Sequence, residues 1–182
     1  MNRVFTKSAK MLVLTLMSIL VLSATAAVYY SLEMTSTVTT AANDVYFVLG
    51  ADNATAGTTI SENGKSATLT LLKAYPNMSM TYDDPIRVRN NNTGTNHQIR
   101  LRPVSLTGSA ANFKYINFTL QTTSKRSLNY TSNGSTWTTP STTAFVQVDA
   151  NTNYAIVVQT EASATAAAGQ TAIIEIAIDI EQ

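Results

Sequence analysis

The chain of 182 residues holds one histidine, His97, and no cysteine. Thiolate chemistry and a disulfide frame are therefore excluded from the outset. A lone imidazole acts as a base only where a nucleophile and an orienting acid surround it. His97 falls in the Asn-rich stretch "NNNTGTNHQ", and its expected setting is a solvated loop. No G-x-S-x-G, no H-E-x-x-H and no Gly-rich phosphate loop occurs in the sequence. The expectation is a protein that is not an enzyme and uses no cofactor. Hard oxygen ligands do occur: Asp83 and Asp84 before Pro85, and Asp149 with Asn151 at a hairpin tip, carry atoms that calcium favours. Neither group matches a calcium loop of known spacing, and the simpler reading is solvated turn acids.

A second chemistry is carried by asparagine. N-x-S/T sequons occur at Asn53, Asn77, Asn91, Asn117, Asn129 and Asn133, each a possible acceptor for an N-linked glycan. Five fall in expected loops and Asn117 falls on the outward face of an expected strand, so each is placed where a glycan would leave the core undisturbed.

The wider composition fits a surface of hydroxyls and amides. Charged residues make up 13% of the chain, against about 25% in ordinary globular proteins, while threonine supplies roughly one residue in six. The formal net charge is +1 and no basic block is longer than Lys125-Arg126, so no field draws in nucleic acid or an anionic membrane.

The N-terminus reads as an address. Arg3, Lys7 and Lys10 precede the uncharged run "MLVLTLMSILVL" at 11–22, and "SATAA" follows with an A-x-A site at Ala24-Thr25-Ala26. Cleavage after Ala26 is the expectation, with 1–26 a signal peptide, 27–42 a strand and linker, and 43–182 the folded domain. The only expected membrane involvement is through that signal peptide. The rival reading keeps 11–30 as a pilin-type helix, since mild residues extend the segment toward the length that spans a bilayer.

From Ala27 the chain alternates. Val28, Tyr30, Leu32, Met34 and Val38 share one face, and Tyr29, Ser31, Glu33, Thr35, Thr37 and Thr39 share the other, the period of a strand with one buried side. The remainder predicts an all-β domain. "DVYFVLG" is a strand; "SENGK" carries the hairpin dipeptide Asn63-Gly64; "SATLTLLKA" alternates through Leu69 and Leu71; "YPNMSMTYDDP" breaks the chain. Ile86 and Val88 point inward with Arg87 and Arg89 outward, and Ile99 and Leu101 inward with Arg100 and Arg102 outward, read together as a hairpin. Ile116, Phe118 and Leu120 form another inward row. "LNYTSNGSTWTTPSTT" is expected as a long polar loop, "AFVQVD" and "NYAIVVQT" as a hairpin, and Ile174, Ile176, Ile178 and Ile180 as the inward row of the last strand. The Ala-rich "TEASATAAAGQ" before it reads as a loop or short helical turn. Seven or eight short strands with turns between them predict a single β-sandwich of jelly-roll or immunoglobulin-like character.

A signal peptide, "AAVYYSLEMTSTVTTAANDV" and the strand, asparagine and Thr-Gly unit "PIRVRNNNTGTNHQIRLRPV" together resemble the TasA/camelysin family and the related archaeal bundling pilins. The resemblance lies in the N-terminal half. It implies a secreted jelly-roll subunit, of archaeal type, that polymerises into surface fibres serving adhesion or biofilm. It also implies that the mature N-terminal strand completes the sheet of the next subunit. The partners would be identical subunits joined head to tail, and neighbouring filaments.

Period and resemblance meet on residues 27–40. Inserting Val28, Tyr30, Leu32 and Met34 into a neighbour would gain roughly 1.5–3 kcal/mol per side chain before ordering costs. A donated strand is not self-complementary, so its contact propagates as an open filament. The outward Arg87, Arg89, Arg100 and Arg102 and the acids Glu175, Asp179 and Glu181 are candidates for pairing across subunits, solvated faces being the simpler reading. A secreted glycan- or calcium-binding sandwich that holds its N-terminal strand in cis is the alternative from another class.

Overall fold

A computed structural model of the chain describes residues 44–166 and 170–181. The expected signal peptide and the expected strand with Val28, Tyr30, Leu32, Met34 and Val38 lie outside the described residues. Eleven strands are present among those described: β1 (Val45–Leu49), β2 (Thr58–Ile60), β3 (Ser66–Ala74), β4 (Ser79–Asn90), β5 (His97–Thr107), β6 (Phe113–Leu120), β7 (Arg126–Ser132), β8 (Trp137–Thr138), β9 (Val146–Val148), β10 (Thr152–Ala162) and β11 (Gln170–Ile180). A short α-helix, α1 (Asn53–Ala56), follows β1, and a 3-10 turn at Ala110–Asn112 precedes β6. The strands form two sheets, of order β1-β4-β10-β6-β7-β8 and β2-β3-β11-β5-β9. Paired strands are antiparallel throughout. The protein is thus an all-β sandwich of two sheets.

Alternation explains the core. In the first sheet Val45, Phe47, Ile86, Val88, Ile116, Phe118, Leu120, Ile156 and Val158 are buried; in the second, Leu69, Leu72, Ile99, Leu101, Ile174, Ile176 and Ile178. Inner faces stacked about 10 Å apart interdigitate these rows. The inward rows at 116–120 and 174–178 are those the alternation predicts, with Ile180 partly buried at the end of the second.

The structure differs from expectation at five places. β4 and β5 do not form a hairpin: β4 pairs with β1 and β10, and β5 with β11 and β9. Their inward rows face each other across the core, which buries both more fully than lying side by side. β9 and β10 likewise lie in different sheets. The loop from β4 to β5 is built by asparagine amides. Buried Asn90 donates through Nδ2 to the Thr95 and Val148 carbonyls at 3.0 and 3.2 Å, and its Oδ1 accepts from Asn92 N at 3.1 Å. Asn92 Oδ1 in turn accepts from the Gly94 and Thr95 amides, both at 2.9 Å.

The stretch "YPNMSMTYDDP" does not end a strand, because β4 runs from Ser79 through it. A bulge sets Asp83, Asp84 and Pro85 against Val157 alone, between the pairs Val158↔Tyr82 and Ile156↔Ile86; the irregularity lets Pro85 sit in a strand with no N–H to donate. Another irregularity, between Ala172↔Leu72 and Ile174↔Leu69, breaks the alternation of β3, so Leu72 is buried and Leu71 is exposed. Lastly, "LNYTSNGSTWTTPSTT" is not all loop. Leu128 and Tyr130 of β7 are core residues, and β7 turns at 133–136 into β8, where Trp137 packs on Phe113 with ring centroids 5.7 Å apart.

Candidate assembly edge

A sandwich has two lateral sides, each where one sheet edge lies over the other. On the side of β1 and β2 the edge is covered along β1. Phe47 N donates to the Gly64 carbonyl at 2.7 Å, and Lys65 Nζ donates to the Val45 carbonyl at 2.5 Å. Burial of that ammonium lowers its pKa below the usual lysine value. The turn carrying Asn63 and Gly64 therefore covers the edge of β1, while Ser79 to Tyr82 of β4 and Leu71 to Ala74 of β3 have no strand beside them on this side among the described residues.

The opposite side is open. β9 pairs with β5 only from His97 to Ile99, and Thr143 takes the next place by accepting from Leu101 N and donating its own N–H to the Leu101 carbonyl, both at 2.9 Å. From Arg102 to Thr107, β5 has only β11 beside it among the described residues. On the other sheet, β8 pairs only with Thr131 and Ser132, which leaves Arg126 to Tyr130 with β6 alone. Between these two edges lies a cavity of about 120 Å³, lined by Pro103 to Leu106, Tyr130, Trp137 and Thr139.

Three side chains define this notch. Val104 sits where β5 bulges between the pairs Glu175↔Ser105 and Ile176↔Pro103, and is 45% exposed. Trp137 Nε1 donates to the Gly108 carbonyl at 3.1 Å, which fixes the indole at the rim. Tyr130 is fully buried, and its hydroxyl has no partner among the described residues. Burial alone pushes its pKa far above the usual tyrosine value. Pro103 removes one N–H from the edge, as proline does on edge strands elsewhere. None of Val104, Tyr130 and Trp137 was expected at a site. The one usable signal was an isolated tryptophan inside a Thr- and Ser-rich stretch.

The residues singled out in the sequence lie elsewhere. His97 opens β5 instead of sitting in a solvated loop; its side chain is 22% exposed, and Nε2 lies 3.8 Å from Asp44 Oδ2. Asp84 accepts from Arg87 and from the Ala51 amide at 2.9 Å, while Asp83 is exposed. The Arg87 hydrogen bond holds the Asp84 carboxyl below the usual carboxylate range. Asp149 accepts from Tyr154 Oη and Gln147 Nε2, both at 2.6 Å, bonds that lower its pKa. Asn151 accepts from Arg89 at 2.7 Å. The oxygens of Asp84, Asp149 and Asn151 accept from protein donors, and no group of three or more acids or histidines able to hold a metal occurs among the described residues.

Of the outward charges, Arg100 and Arg102 both bond Asp179 of the same chain at 3.1 Å, and Arg100 lies 4.9 Å from the centre of the Phe145 ring. Glu175 accepts from Ser105 at 3.5 Å, and Glu181 is exposed. The sequons also sort by position. Asn77 is an exposed turn residue with φ 57°, Asn91 follows β4, and Asn133 shapes the turn after β7 by accepting from Ser135 and Thr136. Asn53 stands in α1 with its amide bonded to the Gly50 carbonyl. Asn129 is not in a loop but in mid-strand, directly opposite Asn117. Gln159 flanks Asn117 on its other side, and Thr81 follows, so an amide and hydroxyl row crosses the outer face of the first sheet.

Compared with known proteins, the chain matches no family profile and no curated sequence.

Proposed function

We propose that this protein is a secreted, non-enzymatic subunit of an extracellular filament, in which residues 27–40 of one copy complete the sandwich of the next. The carrying observation is a pair of strand stretches without a neighbouring strand, set on either side of a cavity. Among the described residues, Arg102 to Thr107 and Arg126 to Tyr130 have no neighbouring strand on this side, and the cavity lies between them. An open edge beside an apolar cavity is a liability in a free monomer and a receptor in an assembly. The chain itself supplies a segment of suitable period in Val28, Tyr30, Leu32 and Met34.

The strand order supports the jelly-roll reading. Within the two sheets, β3-β11-β5-β9 lies over β4-β10-β6-β7, the interleaving that eight successive strands acquire in a doubled Greek key. With no cysteine to staple the fold, strand donation is the source of durability outside the cell. The test is removal of residues 27–38 from the mature chain. Electron microscopy should then find soluble or poorly folded subunits and no fibres, and normal filaments from the truncated chain would overturn the proposal. Sequencing the mature N-terminus adds a second check: a start at Ala27 agrees with strand donation, whereas a start at Lys10 or nearby would replace it by a helix-cored filament.

A further inference from the structure

Independently of the filament reading, we infer that the outer face of the first sheet is a carbohydrate shelf, and that its occupant is a glycan carried by Asn129 of the same chain. Asn129 is the asparagine of the sequon Asn129-Tyr130-Thr131 and stands exposed in the middle of β7. In register beside it run Asn117 of β6, Gln159 of β10 and Thr81 of β4. The row spans three strand spacings, ~14 Å, and none of its members carries a charge. The side chains of Asn129, Gln159 and Thr81 make no hydrogen bond among the described residues, and Asn117 Oδ1 has no partner there either. A run of free amides and a hydroxyl is the complement of a run of sugar hydroxyls, since each side both donates and accepts.

An aromatic ring lies alongside this row. Tyr115 precedes Asn117 by two residues on the same face of β6, ~7 Å away. Its hydroxyl lies 3.1 Å from Ser79 Oγ of β4, although Glu161 of β10 stands between the two in register. The phenol ring therefore lies across β10, along the sheet instead of standing up from it, and Glu161, which it crosses, is only 18% exposed. A ring laid along a face offers an apolar surface to the C–H side of a sugar while neighbouring amides take the hydroxyls. The second sheet has no such face. Its strands contain no asparagine, and Arg100, Arg102 and Asp179 pair on its outer side.

The place of Asn129 in the row fixes the occupant. A sugar joined to its Nδ2 starts at the β7 end of the shelf and meets Asn117 first, whose Cβ is ~5 Å away. Asn117 itself is a wall of the shelf and not a second attachment point, because its Nδ2 already donates to Thr119 Oγ1 at 3.3 Å. Attachment takes a lipid-linked glycosyl phosphate as donor and a separate transferase. Asn129 Nδ2 bonds to the anomeric carbon, the bond from that carbon to the phosphate oxygen breaks with its electron pair leaving on the phosphate, and Nδ2 gives up one proton. Nothing is oxidised or reduced. Tethering makes every later contact intramolecular, so hydrogen bonds too few to hold a free saccharide on a shallow face suffice for a linked one.

The experiment starts from the chain as its producing cells make it. Mass spectrometry of its glycopeptides should find sugar on Asn129; a bare Asn129, whether or not other sequons are filled, would overturn the inference. Mild periodate then reads where the sugar lies, because a diol bonded to the protein is cleaved more slowly than a free one. Oxidation of the Asn129 glycan should be slower on the folded protein than on the glycopeptide released from it. Gln159→Ala, a change at an exposed position, should speed it about fivefold, the worth of one hydrogen bond. Equal rates in the parent, the Gln159→Ala chain and the glycopeptide would mean a glycan standing in solvent, and the shelf would fall. The Asn129→Gln chain tests the other source of sugar: it should not retain free chitotriose. Retention that Gln159→Ala abolishes would make a free saccharide the occupant and overturn the assignment to Asn129. None of these readouts depends on whether filaments form.

Discussion

Tyr130 joins burial without a partner to a titratable group, and that combination has a sign that can be worked out. Desolvation is the first cause of its raised pKa and of that of Tyr82, whose oxygen also accepts from Lys73 N at 2.7 Å. A phenol whose folded pKa lies above the unfolded value of ~10 contributes its full stability below pH ~10. That contribution disappears as pH rises through the folded value, because only the unfolded chain releases the proton. Unfolding followed by circular dichroism should therefore set in above pH ~10, and Tyr130→Phe should make the alkaline limb shallower; an unaltered limb would count against this account. A second outcome at this scale concerns sugar. Asn117 and Asn129 are direct cross-strand partners, so their Cβ atoms lie ~5 Å apart, too close for two branched glycans. Asn117 is also hemmed in, with its Nδ2 donating to Thr119 Oγ1 at 3.3 Å and its Oδ1 buried, whereas Asn129 is exposed. Mass spectrometry of a glycosylated sample should find Asn129 occupied and Asn117 bare; both sites filled on one molecule would refute the steric argument.

Among the elements, β4 concentrates the departures from sequence expectation, and its bulge shows why they were not legible. Alternation reports which face a residue takes, and it revealed the rows at 86–88, 99–101, 116–120 and 174–180. It does not report which sheet a strand joins, so β4 and β5 read as a hairpin although they belong to opposite sheets. Nor does it anticipate a strand continuing through Asp83, Asp84 and Pro85, because the contacts that hold the bulge are distant in sequence. Asp84 N donates to Asp52 Oδ2 at 3.0 Å, the Asp84 carboxylate receives Ala51 N and Arg87, and Gly50 lies against the Asp84 backbone. The open edge was illegible for a like reason, since it arises from where β8 and β9 stop pairing. A Cβ on Gly50 would come within 2.1 Å of the Asp84 carbonyl oxygen, so Gly50→Ala should destabilise by about 1–3 kcal/mol in a denaturant titration. Asp84 has a lowered folded pKa, first through the Arg87 hydrogen bond. Its stabilisation is present above the unfolded value of ~4 and is lost as pH falls through the folded one. Asp84→Asn should flatten the acid limb of the stability curve. By contrast Asp179, bonded to two half-exposed arginines, should cost no more than about 1 kcal/mol as Asp179→Asn.

For the whole molecule, the question is what keeps a sandwich with an open edge at Arg102 to Thr107 folded. Its core is continuous, but the chain has no cysteine, and the notch withholds both a ladder neighbour and a partner for a buried hydroxyl. If a second copy supplies these, folding and assembly are linked equilibria, and stability becomes a function of protein concentration. Above the assembly threshold each tenfold rise in concentration adds about 1.4 kcal/mol to the folded side. For a domain near 150 residues that is ~3–6 °C in Tm. Melting the mature chain at three concentrations a decade apart should show this climb, and the chain lacking residues 27–38 should show none. The slope distinguishes strand donation from a sandwich that keeps its own N-terminal strand, because a strand held in cis stabilises each molecule equally at every dilution. A flat Tm in both chains would therefore mean that the edge at Arg102 to Thr107 is satisfied without a neighbour, and the filament reading would fail with it.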